Sequence, residues 1–321
     1  MARLSNYLAG IGASVIFGFS FLFSKNALDT LQSHELLFLR FLCAALVMSA
    51  LVLARIIKVD YRGKDVRPLL ATALLQPVLY FIIETEGLRH AESSTAGIIL
   101  SAIPVTVTVM AAIILKERLR PAQLVTTLLS FSGVVLVVSF RASGKIGGSP
   151  LAYLLLILSM LCAASFNILS RKSSRSFKPA EITFFMMWFG AISFGLIFLV
   201  KALGAIGSGA PALYTRLTPP ALSAVLYLGV LSSVVAFLLV NFNLSKLKSP
   251  EAAVFANLTT LVSVIAGLAF RGERLLPSDL VGALMIIGGV WGTNVYGAKP
   301  GIAIKRAIVK GKDDSIDGFK K

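Results

Sequence analysis

The sequence has little of what a soluble enzyme needs. Charged residues make up 14% of its 321 positions, against roughly a quarter in an ordinary soluble domain. It holds two histidines, His34 and His90, both at the ends of apolar runs, so a metal cluster or a histidine relay lacks parts. Its two cysteines, Cys43 and Cys162, lie inside apolar runs and read as small core hydrophobes, not as a disulfide or metal site. None of the seven Asp falls mid-run, which excludes an intramembrane aspartyl protease. No G-x-x-x-x-G-K-[ST] occurs, so the chain does not hydrolyse ATP through a P-loop. The expectation is a protein that is not an enzyme and that needs no cofactor or metal. What is abundant is apolar: 56% of residues are hydrophobic, and the mean hydropathy is +0.84. Against this stands a net charge of +16. Basic patches for nucleic acid need exposed faces, and most of this chain would lie in lipid, so nucleic acid is not an expected partner.

A bilayer core about 30 Å thick takes roughly 20 apolar residues as helix. Runs of that length predict an all-α integral membrane protein with spans over 6–24, 34–54, 68–88, 93–115, 121–140, 150–170, 180–200, 220–243, 249–270 and 277–297. Prolines 68, 121, 150, 179, 220, 250 and 277 stand at the joints, where a missing N–H in a first helical turn costs nothing. The first span lacks a following small-residue cleavage site and reads as a retained helix. Ten spans make the connections alternate between two sides. One side then carries 22 of the 31 Lys and Arg, the other 8, and Arg40 lies within a span. By the positive-inside rule both termini are expected in the cytoplasm, with the chain in the cytoplasmic (inner) membrane.

Residues 117–134, ERLRPAQLVTTLLSFSGV, match residues 273–290, ERLLPSDLVGALMIIGGV, at a shift of 156. Glu117, Arg118, Leu119, Pro121, Leu124, Val125, Leu128, Gly133 and Val134 each meet an identical residue. Ser93 meets Ser249 and Ala96 meets Ala252 at the same shift, and Glu35 meets Glu181 at 146. Five spans are thus followed by five related ones. Five is odd, so the second copy enters the membrane from the opposite side. This predicts two inverted five-helix repeats, 1–140 and 150–297, followed by a basic cytoplasmic tail, 298–321. Inverted repeats are a recurring device of secondary transporters, with the substrate site near midplane between the repeats; they also occur in channels. The tail is either a short amphipathic segment on anionic lipid, through Ile302, Ile304 and Ile308, or a solvated extension.

The two Glu-Arg-Leu-x-Pro-x-x-Leu-Val…Gly stretches, each after a long apolar helix, resemble the EamA repeat of the drug/metabolite transporter superfamily. Phe38-Leu39-Arg40-Phe41 and Gly87-Leu88-Arg89-His90-Ala91 fit the same pattern. The resemblance covers residues 6 to 297. It implies a ten-helix bundle with a central cavity, alternating access, and export of amino acids, metabolites or drugs, driven by the proton gradient or by facilitated diffusion.

Ionisable groups inside a span are costly and mark pathways or pairs. Most acidic residues fall in loops, and Glu35, Glu181 and Glu251 fall in first helical turns, where the helix dipole favours them. Glu86 lies near a span end. Glu84 lies about 6 Å deep in span three and Arg40 about 9 Å deep in span two. They are expected to face one another as an ion pair. That pair either ties two helices or carries transport, with Glu84 exchanging a proton or Arg40 meeting a substrate anion. Ser101 and Asn257 are repeat partners about 12 Å deep, with Trp188 at similar depth and Tyr80 about 18 Å from the far end of span three. Each either lines a cavity for an amphipathic solute or packs against a neighbouring helix. Asn167, Asn241 and Asn243 lie nearer the cytoplasmic face as gate or capping residues. Pro77 and Pro104 interrupt helices. Gly10, Ser14 and Gly18, and likewise Gly288 and Gly292, form small faces for close helix approach.

The expected partners are a small-molecule substrate, protons as a candidate coupling ion, and the lipid bilayer; monomer and homodimer stay open. A channel or lipid scramblase without ion coupling is the alternative, with an intramembrane enzyme behind it.

Overall fold

The computed structural model describes residues 2–115, 120–143, 149–204, 213–246 and 255–297. The Glu117-Arg118-Leu119 triplet, Ser249 to Ala252 with Glu251 among them, and the 298–321 tail lie outside the described residues. Every described element is helical. The first copy of the sequence pattern runs through α1 (Ala2–Leu28), α2 (Ser33–Leu53), α3 (Arg67–Ala73), α4 (Tyr80–Arg89), α5 (Ser93–Leu100), α6 (Ile103–Leu115) and α7 (Pro121–Ser143). The second runs through α8 (Pro150–Ser173), α9 (Pro179–Gly204), a short α10 (Leu213–Arg216), α11 (Pro219–Leu226), α12 (Phe237–Lys246), α13 (Ala256–Arg271) and α14 (Pro277–Gly297). Eight helical stretches are long and apolar enough to cross a membrane, counted over the described residues, and Asn257–Arg271 is a shorter apolar one. The outer surface agrees. Leu53, Ile113 and Leu284 are 83%, 71% and 71% exposed, an apolar exterior that water would not tolerate and lipid would.

Three rods are interrupted, each for a local reason. Pro77 cannot supply the N–H that would continue the helix. The chain between α3 and α4 widens into a π-helical segment, Leu74–Leu79, with Gln76 in extended backbone at φ −146°, ψ 116°. Pro104 has the same effect one turn downstream of α5: the helix stops at Leu100, Ser101 caps it, and α6 restarts at Ile103. The third interruption, a π-helical stretch over Tyr227–Ala236 joining α11 to α12, has no proline inside it.

Small residues set the closest helix contacts, as expected for packing in lipid. A Cβ on Gly10 would lie 2.5 Å from the Phe255 ring, and one on Gly18 would lie 2.5 Å from the Val262 side chain. Between them Ser14 Oγ donates to the Phe255 carbonyl at 2.6 Å. The expected small face of α1 is therefore the seam with α13. For α14 the expectation needs correction. Gly288 has nothing near its Cβ position, whereas Gly289 would meet the Thr126 carbonyl at 2.5 Å and Gly292 the Thr126 side chain at 2.4 Å. One residue is about 100° of helix turn, so Gly288 points away from the seam that Gly289 and Gly292 share.

That seam joins α7 to α14 antiparallel: Gln123 Nε2 donates to the Thr293 carbonyl at 3.4 Å, Ser130 Oγ to that of Ile286 at 3.5 Å, and Arg141 reaches Asp279. A Cβ on Gly133 would meet the Gly282 carbonyl at 2.6 Å, matching the contact of Gly289 with Thr126. At the shift of 156, Gly133 corresponds to Gly289 and Thr126 to Gly282. The two contacts are one contact with its partners exchanged.

Candidate functional site

A partly open cavity of about 140 Å³ lies between helices of both copies. From the first copy α1 contributes Ser14, Phe17 and Phe21, the broken third rod contributes Gln76, Tyr80, Phe81 and Glu84, and the broken fourth contributes Gly97, Leu100 and Ile103. From the second come Phe166 and Asn167 of α8, Phe237 and Asn243 of α12, and Phe255 and Thr259 beside and within α13. The two proline breaks thus border the cavity.

Glu84 is buried, 3% exposed, and accepts one long hydrogen bond among the described residues, from Thr85 Oγ1 at 3.3 Å. A buried carboxylate has about four lone-pair sites to satisfy, so this one is short of donors. The expected ion pair does not supply them. No N–O approach within 4.0 Å joins Arg40 to Glu84, although the two charges are close enough to act on one another. Arg40 turns instead toward the π-helical stretch. Its Nε donates to Ser233 Oγ at 2.7 Å and its Nη2 to Ser232 Oγ at 2.9 Å. Its guanidinium lies over the Phe81 ring, 4.2 Å from the centroid. Gly229 lets α2 approach that stretch: a Cβ there would lie 2.7 Å from Cys43. Arg40 therefore sits behind the cavity wall, not in it.

Tyr80 lines the cavity, with its ring edge-on to Phe81 at 4.8 Å. Asn167 lines it too, its Nδ2 donating to the Ala163 carbonyl at 2.8 Å. Three expected residues are placed elsewhere. Ser101 is 1% exposed and donates to the Ile98 carbonyl at 2.6 Å, completing the end of α5. Trp188 of α9 lies outside the cavity wall and meets α2, its Nε1 donating to Ser49 Oγ at 3.0 Å. Asn257 is outside the cavity wall, and its Oδ1 is buried with no hydrogen-bond partner among the described residues. Asn241 forms a buried polar joint, accepting from Ser170 Oγ at 2.7 Å and donating to Thr183 Oγ1 at 2.9 Å. Asn243 is in the wall, its amide oriented to donate to the Asn6 carbonyl and accept from the Gly10 N–H, 3.0 Å each. Gln76 was not an expected site residue; its signal is a polar side chain directly before a mid-span proline.

Polar contacts seal one end of the bundle. Arg141 joins Asp279, Nη2 to Oδ2 at 2.5 Å, and also Glu92. Lys25 Nζ donates to the carbonyls of Leu88, Arg89 and Ala91 at 2.7–3.0 Å. Arg271 meets Asp29 at 2.9 Å. Glu273 caps α5, accepting from the backbone N–H of Ser93 and Ser94 at 2.9 Å each and from Ser93 Oγ at 2.5 Å. Burial pushes the Glu273 carboxyl up, but these hydrogen bonds outweigh it and hold the group below the ordinary value of 4.5.

Long apolar helices, an apolar exterior, and a cavity with one buried carboxylate at the meeting of two similar halves define a multi-pass membrane transport protein. Matches to the model of the EamA-like transporter family cover residues 4–139 and 150–295, and the chain belongs to that family. It is 37% identical over 304 residues to the uncharacterized transporter YcxC of Bacillus subtilis, spanning 94% of this chain and 97% of that one. It is 27% identical over 282 residues to an uncharacterized transporter of Archaeoglobus fulgidus, at 86% and 93%. A probable terminal-alkyne amino-acid exporter of Streptantibioticus cattleyicolor is 23% identical over 211 residues, at 66% and 67%. One solved crystal structure shares the fold, with a TM-score of 0.61 at 22% identity, covering 91% of this chain and 98% of its own.

Proposed function

We propose that the chain is a secondary transporter that exports a small organic solute across the cytoplasmic membrane by alternating access. Its ten spans form two inverted five-helix halves, 1–140 and 150–297, with both termini in the cytoplasm. The antiparallel contact between α7 and α14 supports the inversion. A contact that exchanges its partners is the mark of a twofold axis, and between antiparallel helices that axis lies across them, in the membrane plane. The 22-to-8 division of Lys and Arg supports the orientation. The name of the Streptantibioticus relative supports export.

One observation carries the transport function. Glu84, buried and short of hydrogen-bond donors, faces a cavity that both halves build. A carboxylate in that position is completed by a proton, a ligand or cavity water. The test is saturable counterflow in proteoliposomes with candidate amines, amino acids and drugs, with and without an imposed pH gradient. Glu84→Gln is expected to abolish flux while the purified amount stays at the wild-type level. Undiminished flux in the variant removes Glu84 from the pathway, and a gradient-independent rate removes the proton.

A further inference from the structure

We infer that the loop between α2 and α3 binds the headgroup of an anionic phospholipid in the leaflet beside it. The site lies apart from the central cavity, and its leaflet is the cytoplasmic one in the orientation proposed above. Three observations lead there.

The first is a residue kept at a conformational cost. The end of α2 closes as a Schellman motif: the Ile56 N–H donates to the Leu51 carbonyl at 3.0 Å and the Arg55 N–H to the Val52 carbonyl at 2.9 Å. The residue after the cap then takes left-handed backbone, which glycine does without steric penalty. Arg55 stands there instead, at φ 58°, where a Cβ crowds the following carbonyl. Its side chain is exposed and, among the described residues, makes no hydrogen bond or ion pair. A backbone outlier whose side chain serves nothing in the fold points to a use outside it.

The second is what gathers beside Arg55. Arg55, Lys58 and Arg62 line one surface recess together with Val52, Ile57 and Val59. Asp60 is the acidic group in it, and its Oδ1 already accepts from the Arg62 N–H at 3.0 Å. Lys58 and Arg62 are exposed too, and neither side chain has a hydrogen bond or ion pair among the described residues. Three cations against one carboxylate leave an excess of positive charge, and two guanidinium forks match phosphate oxygens in pairs. The loop is tied down at the start of α9. The Asp60 N–H donates to Glu181 Oε1 at 3.2 Å, the Tyr61 hydroxyl to the Glu181 carbonyl at 2.7 Å, and Lys64 pairs with the Glu181 carboxylate at 2.8 Å.

The third is the apolar surface at the same place. Leu53 and Ile56 flank Arg55 and are 83% and 70% exposed. The residue at the Ile56 position of such a motif commonly packs back on its own helix; this one is turned out. Apolar side chains interleaved with basic ones at the end of a span suit the boundary between acyl chains and headgroups. A soluble anion would leave Leu53 and Ile56 uncovered, whereas a lipid covers them with its chains while its phosphate meets the arginines.

The test titrates the full chain in dodecyl maltoside with phosphatidylglycerol, phosphatidylcholine and soluble sn-glycerol 1-phosphate, and reads the bound ligand by native mass spectrometry. Phosphatidylglycerol is expected to bind about tenfold or more tighter than either other probe. Arg55→Gly is expected to lower that affinity by about fivefold, while its unfolding temperature without added lipid stays at or above that of the wild type. Replacing Arg55, Lys58 and Arg62 together by Ala should bring phosphatidylglycerol down to the level of phosphatidylcholine. Replacing Lys172, Arg175 and Lys178 together by Ala removes the same charge from the neighbouring α8–α9 connection and should keep most of the preference. The wild-type order of the three probes stands as a test even if a variant fails to fold. Phosphatidylcholine binding as tightly as phosphatidylglycerol overturns the anionic headgroup, and glycerol phosphate binding as tightly overturns the lipid. An unchanged affinity in Arg55→Gly, or an equal loss in both triple variants, overturns the site.

Discussion

Arg40 shows how a full charge is kept inside this bundle without a direct ion pair. The guanidinium is 2% exposed, hydrogen-bonded to two serine hydroxyls, and covered by an aromatic ring. An unpaired buried charge is far more costly than a satisfied one, so the serines should matter more than their size suggests. Replacing Ser232 and Ser233 together by Ala is expected to destabilise the protein by about 2–3 kcal/mol, read as thermal unfolding in detergent. Arg40→Met in that background should recover part of the loss, because an apolar side chain of similar length needs no partners. A simple sum of the two effects in the triple variant would show that the hydroxyls do not serve the guanidinium. The sequence shows Arg40 as a charge in a span, but nothing in it shows which hydroxyls receive it. Ser232 and Ser233 lie 192 and 193 residues away, and the π-helical stretch that aims them has no proline to announce it. Order along an unbroken helix is readable from the sequence, since helix rise is constant there. Facing direction is not, because it depends on neighbours the sequence does not order. This is why Glu84, Tyr80 and Asn167 reach the cavity while Ser101, Trp188 and Asn257 do not.

At the scale of the element, glycines decide how close the halves come. Gly97 of α5 crosses α13 where a Cβ would lie 1.8 Å from Ser263 Oγ and 2.9 Å from its Cβ. The Gly97 carbonyl also accepts from Thr260 Oγ1 at 2.9 Å. Gly97→Ala should cost about 1–3 kcal/mol by overpacking. Ser263→Gly in that background should restore most of it, because both clashing atoms are then gone. Ser263→Ala should restore less, since its Cβ remains. Thermal unfolding of the three variants checks the order; equal recovery by Gly and Ala would assign the strain to Oγ alone, and no recovery by either would place it elsewhere. The element pattern itself is largely legible. Helix starts at Pro121, Pro150, Pro179 and Pro277 fall where the sequence puts them, because proline fits a first turn and cannot continue a helix. The breaks at Pro77 and Pro104 follow from the same chemistry. The choice of Gly289 over Gly288 as the contact glycine is less legible, since adjacent glycines in a long apolar helix differ only in which neighbour they meet.

At the scale of the whole molecule, polar contacts among the described residues tie the first copy to the second at one end: Arg141 to Asp279, Arg271 to Asp29, and Glu273 to the start of α5. Glu273 makes that end acid-sensitive in a defined direction. Its carboxyl titrates below the ordinary value of 4.5 in the folded chain because the ionised form accepts from Ser93 and Ser94. A depressed carboxylate contributes stability that is complete above the unfolded value and is lost as pH falls through the folded one. The seal should therefore be intact at neutral pH and weaken only below about pH 4.5. Glu273→Gln is expected to cost about 2 kcal/mol at neutral pH, the loss of charge-assisted hydrogen bonds to a helix N-terminus. It should also flatten the fall in unfolding temperature between neutral pH and about pH 3.5, because the variant has no carboxylate there to protonate. An acid response in Glu273→Gln as steep as in the wild type would transfer the sensitivity to the other carboxylates of the same end, with Glu92 and Asp279 around Arg141 as the next to replace.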